Sequence, residues 1–326
     1  MNLLKYFLGF LIVIIMGQIY NKYKDKIGYN ATEENNYLIN KYLLNKDENT
    51  EIDVILDQKP SLWIYTNQEY NSRKWKSFHS RSSYDINQPY INVCINTIVE
   101  KCGDSFNVFL INENSFNEIL DNWPFDMDSI PEPIKKNYID LAFCKLLYNQ
   151  GGIIVPASFI CKHDLIDIYN NSIYNGPFTF EVRNNIYYAN LNKMAPTFKF
   201  FGSEKNNNVL YDIIKNLEIN VSKEFTHESK FMGTNEELLY KHISTNNISL
   251  IDGKLIGTKD NNNKEVTVEK LLGDNYVEFS PNMHGFYIPE EEILTRTKYN
   301  WFASISVEEI LNSNMVISKH ILLSCN

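Results

Sequence analysis

The sequence carries no P-loop, no GxSxG, HExxH or GxGxxG pattern, and no CxxC pair. Each of these motifs fixes residue types at a set spacing. Their absence sets aside a P-loop nucleotidase, a nucleophile-elbow hydrolase, a zincin and the dinucleotide fingerprint of NAD enzymes. A basic excess is also missing: 31 Lys and Arg stand against 40 Asp and Glu, for a net charge of −9. That balance argues against a nucleic-acid partner, which wants a basic face. The 5 cysteines form neither a zinc pattern nor an evident disulfide framework. Cys94 and Cys102 fall on one expected helix, too far apart to bridge, and are assigned to core packing. No internal repeat is present. Four N-x-S/T sequons, at Asn30, Asn170, Asn220 and Asn247, are no more than an Asn-rich composition supplies. The 21 Tyr and 19 Phe suit carbohydrate platforms, but a coding bias gives the same excess.

One long hydrophobic run is there. Residues Tyr6 to Tyr20 are uncharged and nearly all apolar, and from Leu3 the span approaches the length of a membrane helix. No small-x-small cleavage site follows, so residues 1–26 are expected to be a retained anchor, with the bilayer contacted through residues 3–20. The flanking lysines leave open whether the domain behind this single-pass anchor is lumenal or cytoplasmic. Residues 27–58 are polar and Asn/Glu/Lys-rich and read as a stem.

From residue 59 the pattern alternates between strand and helix. Lys59–Thr66 reads as a strand, Gln88–Cys102 as a helix with Ile91, Cys94, Ile95 and Ile98 buried, and Phe106–Ile111 as a second strand. Asn137–Gln150 reads as an amphipathic helix with Ile139, Phe143, Leu146 and Leu147 inward. Gly151-Gly152 is its left-handed cap, and Ile153–Val155 a buried strand ended by Pro156. This order predicts a βαβ-built parallel sheet, with ligands at the carboxyl ends of its strands. Pro177–Val182 reads as a further strand and Asn206–Asn220 as a helix, while Leu250–Thr258 and Lys264–Leu272 read as strand-like or short mixed elements.

The stretch Asp140-Leu141-Ala142-Phe143, then Leu147-Tyr148-Asn149-Gln150-Gly151-Gly152 and Ile153-Ile154-Val155, resembles the capsular-polysaccharide-synthesis group of glycosyltransferases, relatives of the sugar-binding family with a DxD motif. The resemblance runs from about Lys59 to Leu165. It implies an α/β, Rossmann-like nucleotide-diphospho-sugar transferase (GT-A-like) domain over residues 59–326, behind the membrane anchor. It implies nucleotide-sugar and glycan as partners, and Mn or Mg as cofactor if the site is active. Asp140 matches the family's helix aspartate. Phe143 stands where the family has arginine, and Pro156-Ala157-Ser158 where it has its acidic metal motif, so that motif is degenerate here.

The substrate-binding candidates are Thr66, Asn67, Asp140, Gly151, Gly152, Ser158 and His284, the last because related transferases keep a late histidine near the metal. No catalytic residue is assigned. Asp126 and Asp128 form a literal DxD, but it precedes a helix rather than following a strand, so an acidic or capping turn is the plainer reading. His163 and Asp164 are displaced-ligand candidates against a surface turn. Arg73, Lys74, Lys76 and Arg81 are a basic loop able to meet a diphosphate. Residues 190–201 are expected to border an acceptor site. Two functions follow: sugar transfer to a glycan hydroxyl, or a catalytically inactive glycosyltransferase fold that binds or scaffolds.

Overall fold

The computed structural model describes residues 59–66, 88–131, 134–183, 194–223 and 233–324. The expected anchor, stem and basic loop, together with Asn67, lie outside these residues. Among the described residues no helix is long and apolar enough to cross a membrane.

The chain begins with β1 (Ser61–Tyr65), α1 (Tyr90–Cys102), β2 (Asn107–Ile111), α2 (Ser115–Ile119), α3 (Lys135–Gln150) and β3 (Gly152–Pro156). It continues with β4 (Phe159–Cys161), α4 (Ile166–Ile173), β5 (Phe178–Arg183), β6 (Met194–Ser203), α5 (Asn208–Val221), α6 (Thr234–Ser244) and β7 (Ser249–Ile251). The described part ends with α7 (Val268–Leu272), β8 (Gly285–Tyr287), α8 (Glu290–Thr295), α9 (Asn300–Ser304), α10 (Val307–Leu311) and α11 (Val316–Ser324).

Six strands make the main sheet, in the order β2-β1-β3-β6-β5-β7. β1 pairs in parallel with both β2 and β3, and β5 in parallel with β7. β6 is antiparallel to both of its neighbours, β3 and β5. The expected parallel sheet is therefore parallel-dominated but mixed, with β6 reversed. A strand at 194–203 was not anticipated, although its alternation of Thr197 and Lys199 with Phe198 and Phe200 has the strand period. The architecture is a mixed, parallel-dominated α/β fold.

The two faces of β6 receive different chemistry. Phe200 stacks on Phe180 at 4.0 Å between centroids and meets Phe159 of β4 edge-on at 5.1 Å. Lys199, one residue away, points to the other face. β4 pairs only with β8, in a separate two-stranded sheet. α3 is buried nearly all round, since β3, β6 and α5 pack on it. Its first turn departs from the amphipathic expectation: Asn137 and Asp140 are buried while Ile139 is half-buried. Polar partners, described below, hold that end.

The expected elements at 250–258 and 264–272 resolve into short pieces. β7 is three residues, a 3-10 turn follows at Gly253–Ile256, and α7 closes the second stretch. Cys94 and Cys102 are core residues as expected. What the spacing did not reveal is that Cys102 Sγ lies 3.7 Å from Cys161 Sγ, inside the protein.

Gly151 and Gly152 hold φ of 72° and 102°. A Cβ on Gly152 would stand 2.1 Å from the Ser61 carbonyl oxygen. Backbone, not a flexible side chain, fills that space, so β1 and β3 would have to part. Gly152→Ala is therefore expected to lower stability by about 3 kcal/mol or more, measured by urea unfolding. Folded variant with native stability but lost ligand binding would instead give this glycine a direct role at a site.

Candidate functional site

From β1 the chain passes to β2 on one side and then to β3 on the other. The order reverses between β1 and β3, and a crevice opens outside the carboxyl ends of such strands. Tyr65 is level with Pro156, and the Ala157 N–H donates to the Tyr65 carbonyl at 3.3 Å. Thr66 and Ser158 thus flank the switch point. Thr66 is half-buried, its N–H donating to the Ile111 carbonyl at 3.0 Å. Ser158 is fully buried; its carbonyl accepts from the Ile288 N–H at 3.1 Å, but its Oγ has no partner.

Several charged groups gather at this edge. α3 starts here, because Lys135 Nζ reaches Glu113, just past β2, at 2.9 Å. Glu113 also accepts from the Tyr65 hydroxyl at 3.3 Å. Lys136 Nζ meets Glu236 of α6 at 2.6 Å. Asp140, one turn on, accepts from Asn235 Nδ2 at 2.8 Å, and the same amide donates to Asn137 Oδ1 at 3.2 Å. Asn137 Nδ2 is buried without a partner. Lys199 of β6 pairs with Glu291 of α8. Buried Glu292 fastens α8 from beneath, since Arg183 at 3.1 Å and Arg296 at 2.8 Å both bind its carboxylate.

These groups shift one another. Lys199 holds Glu291 down to about 2, against the smaller cost of its burial. Burial works against the Lys199 ammonium, yet Glu291, Tyr287 and Glu290 keep it protonated well beyond the usual lysine range. Lys136 behaves in the same way beside Glu236 and Asp140. Burial pushes Glu290 up, and it pushes Asp140 to about 7 despite the nearby Lys136. Lys136 still exposes 40% of its side chain and Lys199 22%, so neither side chain is closed off from solvent.

The structure separates the sequence candidates. Thr66, Ser158 and Asp140 come to the carboxyl edge. Gly151 and Gly152 do not: they lie at the amino end of β3, about 13 Å along the strand from Pro156. Gly152 lets β3 approach β1, and the carbonyl of Gly151 accepts from Trp63 Nε1 at 3.0 Å.

His284 is also displaced. It sits beyond the Cys161–Gly285 end of the β4–β8 pair, whereas Tyr287 and Ser158 mark the other end. Its Nδ1 lies 3.0 Å from the Asp164 carbonyl, and its ring is 6.0 Å from that of His163. The Asp164 carboxylate is engaged by Ser105 and by the Ile166 N–H. Asp126 and Asp128 are exposed, and Asp126 accepts from the Asp128 N–H as the cap of a 3-10 turn. Among residues 190–201, Lys199 belongs to the edge cluster.

Sequence reasoning missed Lys136, Asn235, Tyr287, Glu290 and Glu291, and reached Lys199 only as one of residues 190–201. Only Lys199 carried a local signal, as a lysine inside an otherwise aromatic strand. The residues present do not fit the divalent metal that the resemblance implies. Its acidic motif is replaced by Pro156, Ala157 and Ser158, and among the described residues no group of three or more His, Cys, Asp or Glu is arranged to hold an ion.

No family model matches the sequence, and no curated protein matches it. One solved structure to which the chain is similar is "PaToxG Glycosyltransferase", with a TM-score of 0.31 and 16% identity over 57% of this chain and 70% of that one. A likeness of that size carries no argument about this chain.

The shift of Asp140 has a measurable consequence. Its folded-state pKa of about 7 exceeds that of an unfolded aspartate. The folded state therefore holds the extra proton, and stability falls as pH rises from ~4 to ~7, then levels. Asp140→Asn removes this dependence. It should gain on the parent between pH ~5 and ~8 by up to about 4 kcal/mol in urea unfolding. An equal difference at every pH would show an ordinary, ionised carboxylate.

Proposed function

We propose that this chain is a membrane-anchored, glycosyltransferase-type protein that binds a nucleotide-sugar at the carboxyl edge between β1 and β3 and passes the sugar to a glycan hydroxyl. The observation that supports this reading is the strand-order reversal between β1 and β3, with Thr66 and Ser158 just beyond the carboxyl ends of those strands. Ammonium groups and the amino end of the 16-residue α3 face the same edge. Both favour an anionic ligand. In the transfer, the acceptor oxygen bonds to the anomeric carbon and gives up its proton to solvent, while the bond to the diphosphate breaks. The charge leaving on the diphosphate is what Lys136 and Lys199 would oppose. Residues 3–20 anchor the protein in a bilayer and residues 27–58 form the stem.

A second reading is a fold that binds without turnover. Phe143 and Ser158, in place of the arginine and the carboxylate that the resemblance implies, favour it. Phe143 is fully committed to packing, its ring 5.1 Å from Tyr65 and 6.2 Å from Phe116.

The test is binding of UDP- and GDP-sugars to the full-length chain in detergent, with donor hydrolysis followed in parallel. Binding with turnover supports transfer, and binding without turnover supports the second reading. No binding at millimolar donor defeats both. Within this test, Thr66→Glu places a carboxylate at the crevice and should weaken binding about tenfold or more. His284→Ala, at the far end of β4 and β8, should change it by less than about twofold.

A further inference from the structure

We propose that Lys199 supplies the positive charge for which related sites use a divalent ion, so that this chain takes a nucleoside diphosphate without metal, the diphosphate exchanging with Glu291 for the lysine. The inference rests on the nucleotide-sugar reading above and concerns how that same site is charged.

Position is the first argument. Ile154 pairs with Phe201. The ladder ends there, with Pro156 on β3 and Lys199 on β6 each two residues beyond that pair. Lys199 pairs with Glu291, three residues after Ile288, whose N–H donates to the Ser158 carbonyl at 3.1 Å, so the lysine stands near the segment where the acidic motif is replaced by Pro156, Ala157 and Ser158. Nothing in that segment offers a carboxylate to a metal, while the adjacent strand offers an ammonium.

The second argument is the state of that ammonium. It is paired with Glu291, whose side chain is 52% exposed. A diphosphate carries more negative charge than one carboxylate and binds lysine through more oxygens. Glu291 loses little on release, because water already reaches half of it. Glu292, by contrast, is 2% exposed and clamped by Arg183 and Arg296, so α8 stays in place when Glu291 lets go. The third argument is a pair of buried donors left without partners at the same edge, Ser158 Oγ and Asn137 Nδ2. Buried polar atoms are seldom left unpaired, and a phosphate oxygen would satisfy either.

The experiment is calorimetric titration of the full-length chain with UDP and GDP, once in EDTA and once in millimolar Mn²⁺. The same Kd in both is expected. Lys199→Met should raise Kd about tenfold or more, and Glu291→Gln, which frees the ammonium, should lower it about threefold or more. Binding that appears only with Mn²⁺ overturns this inference and leaves the nucleotide reading intact. An unchanged Kd in folded Lys199→Met overturns it as well. Should Lys199→Met fail to fold, the exposed Glu291→Gln variant decides: tighter binding supports the exchange, and equal or weaker binding overturns it. No binding of either nucleotide in any condition defeats the nucleotide reading itself.

Discussion

The close approach of β3 to β1 governs the rest of the molecule. At Gly152 the two backbones come so near that a side chain would meet the Ser61 carbonyl. Positive φ at Gly151 and Gly152 turns the chain from α3 into β3 at that point. With the start of β3 pinned there, the ladder runs Leu62 to Ile153 through Tyr65 to Pro156. A slip of one residue would reverse every side chain on β3, and its whole length is buried. The glycines therefore matter to the site from its opposite end: they fix which residues of β1 and β3 emerge together at the carboxyl edge.

At that edge the protein has arranged charge rather than avoided it. Lys135, Lys136 and Lys199 are held by Glu113, Glu236 and Glu291 respectively. Each pair joins two elements distant in sequence, so the cluster ties α3, α6, β6 and α8 around the crevice. Partly exposed ion pairs contribute little to stability, typically about 0–1 kcal/mol. Their ammonium groups are the ones that the proposed anionic ligand would meet. Arg183, Glu292 and Arg296 differ, because the shared carboxylate is buried. Removing one partner of a buried pair costs roughly 3–5 kcal/mol, so this triad is a structural clamp.

Asp140 shows how far a local pattern falls short of a side chain's surroundings. The resemblance marked it, and it does lie at the carboxyl edge. Its carboxylate, however, faces Asn235 inside the protein instead of solvent, and burial lifts its pKa to about 7. Asn235, whose hydrogen bond works against that rise, is almost a hundred residues away, and no local pattern announces it.

The sequence by itself determined the strand and helix run from β1 to β3, the glycine cap of α3, the end of β3 at Pro156 and the burial of Cys94 and Cys102. These follow from local rules: apolar spacing, β-branched runs, and the backbone limits of Gly and Pro. Tertiary structure alone decided that β6 runs backwards, that Gly151 and Gly152 occupy the far end from the crevice, that His284 is turned away with His163, and that Lys199 and Glu291 meet. Those facts depend on strand order and register, which are set by contacts between residues far apart in the chain, and a periodicity read along one segment holds no record of which other segment lies beside it.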